Sequence, residues 1–385
     1  MKRILTGIVA AALLATVVDA QSSRYFLQDL GTLPGATFSQ ASDMNDWGVV
    51  AGISATPEGI QHSVLWVAGR PVDIASRRHE GLNSGAFGIN EWGQISLQVE
   101  RSTPDPNGED FCGYGTHLTC RAARWQFGVL TTLPTLGGNN ATTGNINNAG
   151  QIPGTAETEV VDASCSASHP FQVLQYRPVI WEPNPETIRQ LPLLSGDTVG
   201  VAARINDRGQ AVGFSGSCGD SALLPLPFGP HAVLWDKDGA VHDLGNLGAA
   251  TVNIGLAINN RGEVVGASSL AADSTPFYRT DAFLWTRRQG MQDLGTLPGD
   301  VHSGATGIND RGEVVGLSGD GAGNIRAFHW QDGAMRDLNT LVPADAPVYL
   351  LFATAINADG AIAGWGVHKE TGEVHAFKLI PVKER

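Results

Sequence analysis

The chain has 385 residues, with 48 Gly and 20 Pro but only 16% charged residues, which suits many short strands joined by tight turns and excludes a mainly helical protein. Its net charge is −13, with no basic run longer than the pairs Arg77-Arg78 and Arg287-Arg288. This argues against the clustered Lys and Arg that a nucleic-acid backbone or an anionic membrane surface requires.

In chain order, residues 1–20 read as a signal peptide. Lys2 and Arg3 give a positive start, Ile4 to Val18 is apolar, and Val18-Asp19-Ala20 places small residues around a cleavage point. The alternative is an N-terminal membrane anchor, but the apolar run is short for a span of about 20 residues. No later segment reads as a transmembrane helix. Residues 21–385 are therefore expected to form one mature domain, secreted or periplasmic, monomeric and without a membrane span.

The rest of the chain is built on one phrase. Its clearest copy is Ile308-Asn309-Asp310-Arg311-Gly312-Glu313-Val314-Val315-Gly316. The Asn recurs at Asn45, Asn90, Asn147, Asn206, Asn259, Asn309 and Asn357, and a Gly follows three places later every time. Such a period is the signature of a repeat architecture. Around the sixth copy, Ser303 to Ile308 predicts a strand and Asn309 to Gly312 a hairpin turn. Glu313 to Ser318, Arg326 to Trp330 and Met335 to Leu338 predict three more strands. Each unit is thus a four-stranded antiparallel meander. A meander cannot bury both faces alone, so neighbours must stack. A ring of such sheets is a β-propeller; a linear β-solenoid is the other way to stack them. Small residues before the Asn (Ala41-Ser42, Gly85-Ala86, Ala202-Ala203, Gly304-Ala305) suit a crowded axis. Trp66, Trp125, Trp181, Trp235, Trp285 and Trp330 recur on the third strand as expected inter-blade core.

The chain ends favour the ring. The last unit stops after its third strand, His375 to Leu379, while Asp29-Leu30-Gly31-Thr32-Leu33 near the N-terminus matches the fourth-strand phrase Asp293 to Leu297. The expectation is an all-β, seven-bladed propeller closed by the N-terminal strand pairing into the last blade.

The phrases His375-Ala376-Phe377, Asp293 to Gly299 and Ile308 to Gly316 resemble the HAF family of extracellular repeats. The resemblance covers essentially the whole mature chain and implies an exported repeat protein; it carries no catalytic residues to transfer. Departures are Leu97 at the second Gly position of blade 2, Pro153 in blade 3 and Leu379 at the Trp position of blade 7.

The loops between second and third strands are long in blades 2 to 5, at about 98–120, 155–176, 214–230 and 267–280, so the insertions are contiguous and share one face. They hold all four cysteines, for which Cys112–Cys120 and Cys165–Cys218 are the preferred disulfides of the three connectivities. Long loops on a rigid scaffold are where binding usually sits. Asp105, Asn107, Glu109 and Asp110 offer oxygen ligands for Ca²⁺ or another divalent cation without the full twelve-residue calcium loop. His117 and His169 lie near cysteines as candidate binding residues. His302 with Asp300, and Asn139, Asn140 and Asn253, are expected to face the channel mouth. The mostly basic series His62, Arg121, Arg177, His231, Asp281, Arg326 and His375 repeats in every blade and reads as structural, as do Asp29, Asp73, Asp243, Asp293 and Asp337.

No Gly-x-Ser-x-Gly elbow, His-Glu-x-x-His or phosphate loop occurs. The expected function is an exported binding module whose long-loop face recognises a glycan, other polymer, small molecule or protein. The alternative is a metal-assisted hydrolase of a lactone, ester or glycan at the channel mouth.

Overall fold

The computed structural model describes residues 24–75, 81–168, 172–221, 228–270 and 280–382. Among them lie seven four-stranded antiparallel sheets, the blades of a β-propeller. Blade 6 comprises His302–Ile308, Val314–Gly319, Ile325–Gln331 and Ala334–Asp337 from the axis outward. Blade 7 takes three strands from the C-terminal end, Val348–Ile356, Ile362–His368 and Val374–Pro381. Its outermost strand is the N-terminal Tyr25–Gly31, with Leu27 paired to Leu379. The ring closes as the chain ends predict.

The recurrent Asn makes each hairpin and also joins the blades. In blade 6 the Asn309 side-chain oxygen accepts from the backbone N–H of Arg311 (3.0 Å) and Glu313 (3.1 Å), while Gly312 takes φ +83°. In all seven blades the Asn amide also donates to the backbone carbonyl of the next blade's Asn, at 3.0–3.4 Å. The seven bonds form a closed circle around the axis. The following residue adds a second, nearly complete circle. Asp46, Glu91, Asn148, Asp207, Asn260 and Asp310 each accept a backbone N–H from the preceding blade. The spacing of the Asn predicts its turn role but not this link between blades.

The core lies between blades. Trp66, Trp181 and Trp235 are buried, and Trp125, Trp285 and Trp330 pack half-buried against neighbouring clusters. Ala41, Ala86, Ala202 and Ala305 are fully buried beside the axis, as the crowding there requires.

The insertions follow the expected staples: Cys112 bonds Cys120 and Cys165 bonds Cys218. Both disulfides enter one apolar cluster with Phe111, Tyr176, Val199, Val201, Phe214 and Ile254. One feature departs from the purely strand-based expectation. The blade 3 insertion holds a short helix, Ala163–Ser168, started by Asp162, which accepts from the backbone N–H of Ser164 at 3.0 Å. Residues 222–227 and 271–279 of the blade 4 and 5 insertions, His169 and the proposed signal peptide lie outside the described residues. Among the described residues no helix is long and apolar enough to cross a membrane.

Candidate ligand-binding site in the axial cavity

The innermost strands set the site. In blades 1, 2, 4, 5, 6 and 7 the register slips by one residue, in blade 1 between Ala41 and Asp43 and in blade 6 between Ala305 and Gly307. A bulge leaves one extra residue unpaired and re-aims it. Here those residues are Ser42, Phe87, Ala203, Leu256, Thr306 and Thr354, and all six line a central cavity of about 570 Å³. This is the size of a small-molecule site. Two of them also tie the ring: Thr306 Oγ1 donates to the Ala353 carbonyl at 2.5 Å and Thr354 Oγ1 to that of Ala41 at 3.1 Å.

On the long-loop side the blade 2 insertion contributes to the cavity. Phe111, Cys112, Gly113 and Tyr114 belong to its lining. The Cys112–Cys120 disulfide braces that segment, and Phe111 packs edge-on against Tyr176 at 6.4 Å. Gln98 beneath it donates to the Cys112 carbonyl (3.1 Å) and to the Tyr114 hydroxyl (3.0 Å). Burial holds the Tyr114 phenol well above its usual range. On the blade 7 side, Phe352 and Trp365 stack with ring centres 5.4 Å apart and planes 13° from parallel, both half-buried in the lining. Gln40, Gln61 and Thr142 add polar side chains to the mainly apolar lining. The buried Thr143 hydroxyl has no protein partner.

Arg204 is the one charged side chain among the described lining residues. Its guanidinium makes one long hydrogen bond, to the Ala203 carbonyl at 3.4 Å. Burial lowers its pKa, partly offset by the Asp43 carboxylate. Asp43 accepts from the backbone N–H of Met44 (2.9 Å) and Ile89 (3.1 Å), and burial raises its pKa despite Arg204.

The residues singled out from the sequence do not gather at this cavity. Asn140 and Asn253, expected at the channel mouth, are fully buried at blade junctions. Asn140 accepts from the Cys120 N–H and donates to Asp105, both at 2.8 Å, and Asn253 donates to the Pro230 and Ala249 carbonyls. Asn139 donates its backbone N–H to Glu157. Asp300 is held by Arg326 at 2.9 and 3.2 Å, and His302 packs over Gly319, so neither lines the cavity. The physical reason is common to them. The links into the inner strands run between blades, where their polar groups are consumed by buried neighbours. His117 is exposed and meets the Gly108 carbonyl at 2.8 Å.

The acidic turn is a hydrogen-bond hub. Asp105 accepts from the N–H groups of Asn107 and Glu109, Glu109 from that of Leu174, and Asp110 from that of Gly115. The Asn107 amide reaches Glu109 only at 3.4 Å. Glu157, missed in the sequence, completes the hub. Its pKa is pushed up to about 9, first by burial and then by the Glu109 carboxylate beside it. N–H donors aimed at these oxygens fit a carboxyl cluster sharing protons, not a Ca²⁺ shell, which needs six to eight oxygens. Among the described residues no group of three or more His, Cys, Asp and Glu is disposed to hold a metal ion.

The repeated basic series is explained by the repeated Asp. His62 pairs with Asp73 at 2.7 Å, His231 with Asp243 at 3.5 Å, Arg326 with Asp337 at 3.1 Å and His375 with Asp29 at 2.9 Å. Blade 5 instead opposes Asp281 and Asp293, and the Asp281 pKa is pushed up to about 7, first by burial and then by Asp293.

No family model and no curated protein matches the chain. Solved structures match it as propellers. The β-propeller domain of the trilobed protease from Pyrococcus furiosus superposes with a TM-score of 0.51 at 10% identity, covering 91% of this chain and 96% of that one. An oligogalacturonate lyase in complex with manganese gives 0.55 at 11% identity, covering 94% and 95%. The likeness is one of fold.

Proposed function

We propose that the chain is an exported propeller of the HAF type that binds a saccharide in the axial cavity, entered from the long-loop face. The stacked Phe352–Trp365 pair carries this reading. An aromatic face bordered by amides and hydroxyls offers a sugar both its apolar ring contact and its hydrogen bonds. Binding rather than catalysis is favoured because the described lining has neither carboxylate nor imidazole, the usual general acids and bases.

The test is calorimetric titration of the mature protein with soluble hexose, hexosamine and hexuronate oligosaccharides. Saturable binding of at least one class is expected, with Trp365→Ala weakening it about tenfold, the equivalent of about 1.4 kcal/mol. Saturable binding that Trp365→Ala leaves unchanged, or no binding by any of the three classes, sinks the proposal. Export has its own check: the mature N-terminus is expected at Gln21, after Ala20.

A further inference from the structure

The seven blades place equivalent residues two positions before the recurrent Asn: Asp43, Gly88, Asn145, Arg204, Ala257, Gly307 and Ala355. Four are Gly or Ala, as the crowded axis requires. Asp43 and Asn145 bind the next blade, through the N–H of Ile89 at 3.1 Å and of Ile205 at 2.9 Å. Arg204 does neither. The largest cationic side chain stands where the architecture favours a small or linking residue, and it belongs to the cavity lining.

Its environment is one-sided. A guanidinium presents five N–H donors in a planar fork. Among the described residues the only hydrogen bond from the Arg204 fork is the 3.4 Å contact to Ala203. Asp43 acts on it through space, yet the Asp43 oxygens are committed to backbone N–H groups, and no ion pair within 4.0 Å joins the two. Other arginines show how this protein satisfies the fork when it can: Arg326 grips Asp300 with two nitrogens, and Arg311 and Arg261 each grip a glutamate. The side chain is half-buried in the cavity lining with no carboxylate among the described residues gripping it, and a carboxylate matches the fork with two parallel hydrogen bonds.

We infer that the axial cavity takes a ligand bearing a single carboxylate, which Arg204 receives while the ligand's ring lies against Phe352 and Trp365. With the saccharide reading on which this rests, the class is a sugar acid. Arg204 supplies selectivity for the acid over the neutral sugar, and the aromatic pair supplies affinity common to both.

Matched probes separate the two ideas: D-glucuronate against D-glucose, D-galacturonate against D-galactose, and benzoate as a carboxylate without a sugar. Calorimetry on the full mature protein is expected to show one hexuronate bound at least tenfold tighter than its hexose. Arg204→Met should abolish that difference, while Arg204→Lys retains part of it. Thermal melting checks that Arg204→Met folds. If it does not, Asp43→Asn/Arg204→Met, which removes both charges together, replaces it. Equal binding of acid and hexose, or a preference that survives Arg204→Met, overturns the inference while leaving the saccharide reading intact if Trp365→Ala still weakens the sugars. Binding of benzoate alone, lost in Arg204→Met, sustains the carboxylate and overturns the saccharide. If none of the five probes binds, the inference fails.

Discussion

Asn206 has two tasks at once, which is why its position is never anything but Asn in the seven repeats. Its side-chain oxygen accepts from the N–H of Arg208 and Gln210, both at 3.0 Å, and its amide donates to the Asn259 carbonyl at 3.0 Å. Its amide also donates to Gln210 Oε1 at 3.1 Å, so Asn206→Ala removes four hydrogen bonds and strands a buried carbonyl, and a loss of about 2–4 kcal/mol is expected in urea unfolding. Trp47→Ala, at a 79% exposed position of the same face, should stay within about 0.5 kcal/mol. Two carboxyls make stability depend on pH in overlapping windows. Both bind a proton more tightly folded than unfolded, so each contributes most below the ordinary carboxyl range and loses that contribution as pH rises through its folded pKa. Asp281 titrates at about 7 and Glu157 at about 9. The urea midpoint is therefore expected to fall from pH 5 to pH 9. Asp281→Asn should reduce the fall below about pH 7 without abolishing it, and Glu157→Gln should reduce it below pH 7 and remove most of it between 7 and 9. A wild-type midpoint that climbs over that range would refute the assignment.

At the scale of the element, the blades were legible because each repeats the same demand. Asn fixes a hairpin, Trp fills a junction, and the unmatched ends call for a shared blade. Cys165–Cys218 was legible because it joins the insertions of successive blades. The cavity was not, for a physical reason. Its lining comes from positions that must differ among blades, Ser42, Phe87, Ala203, Leu256, Thr306 and Thr354 being equivalents, and a binding wall has no reason to repeat. Counting three residues back from each Asn would have collected them, but nothing in the sequence shows that a bulge turns that residue to the axis. Trp365 could be set apart from the six core tryptophans, yet only ring curvature and register bring it onto Phe352. The channel-mouth residues failed in the opposite sense, because a polar residue in a link reads the same whether it faces solvent or a buried carboxyl. The disulfides offer the element-scale prediction. On loop-closure entropy, Cys165–Cys218, with a sequence separation of 53, is worth about 4 kcal/mol and Cys112–Cys120, with a separation of 8, about 2.5 kcal/mol. The double Ser variants should rank so in denaturation. Ligand binding should rank in reverse, because only the shorter loop's disulfide, through Cys112, belongs to the cavity lining.

For the whole molecule, the question is what makes seven weakly coupled units one structure. An open stack of repeats gains stability only from neighbouring interfaces; a ring adds one more interface and has no end. Here that last contact is non-covalent and rests on the strand Tyr25–Gly31. Tyr25 and Leu27 are buried in one cluster with Val348, Phe377 and Leu379, and Asp29 meets His375 at 2.9 Å, some 350 residues away in sequence. The Asn circle crosses the same seam through Asn357 and Asn45, at 3.4 Å. The seam should therefore behave as core, although it lies near both chain termini, where fraying is the rule. Leu27→Ala is expected to cost about 2–4 kcal/mol, as a core leucine does, and to match Leu379→Ala across the pair. Because the two side chains share one contact, the double variant should lose less than the sum of the singles, by about 0.5 kcal/mol or more. Leu27→Ala with the wild-type urea midpoint, or full additivity with Leu379→Ala, would mean that the N-terminal strand merely decorates a ring held shut elsewhere.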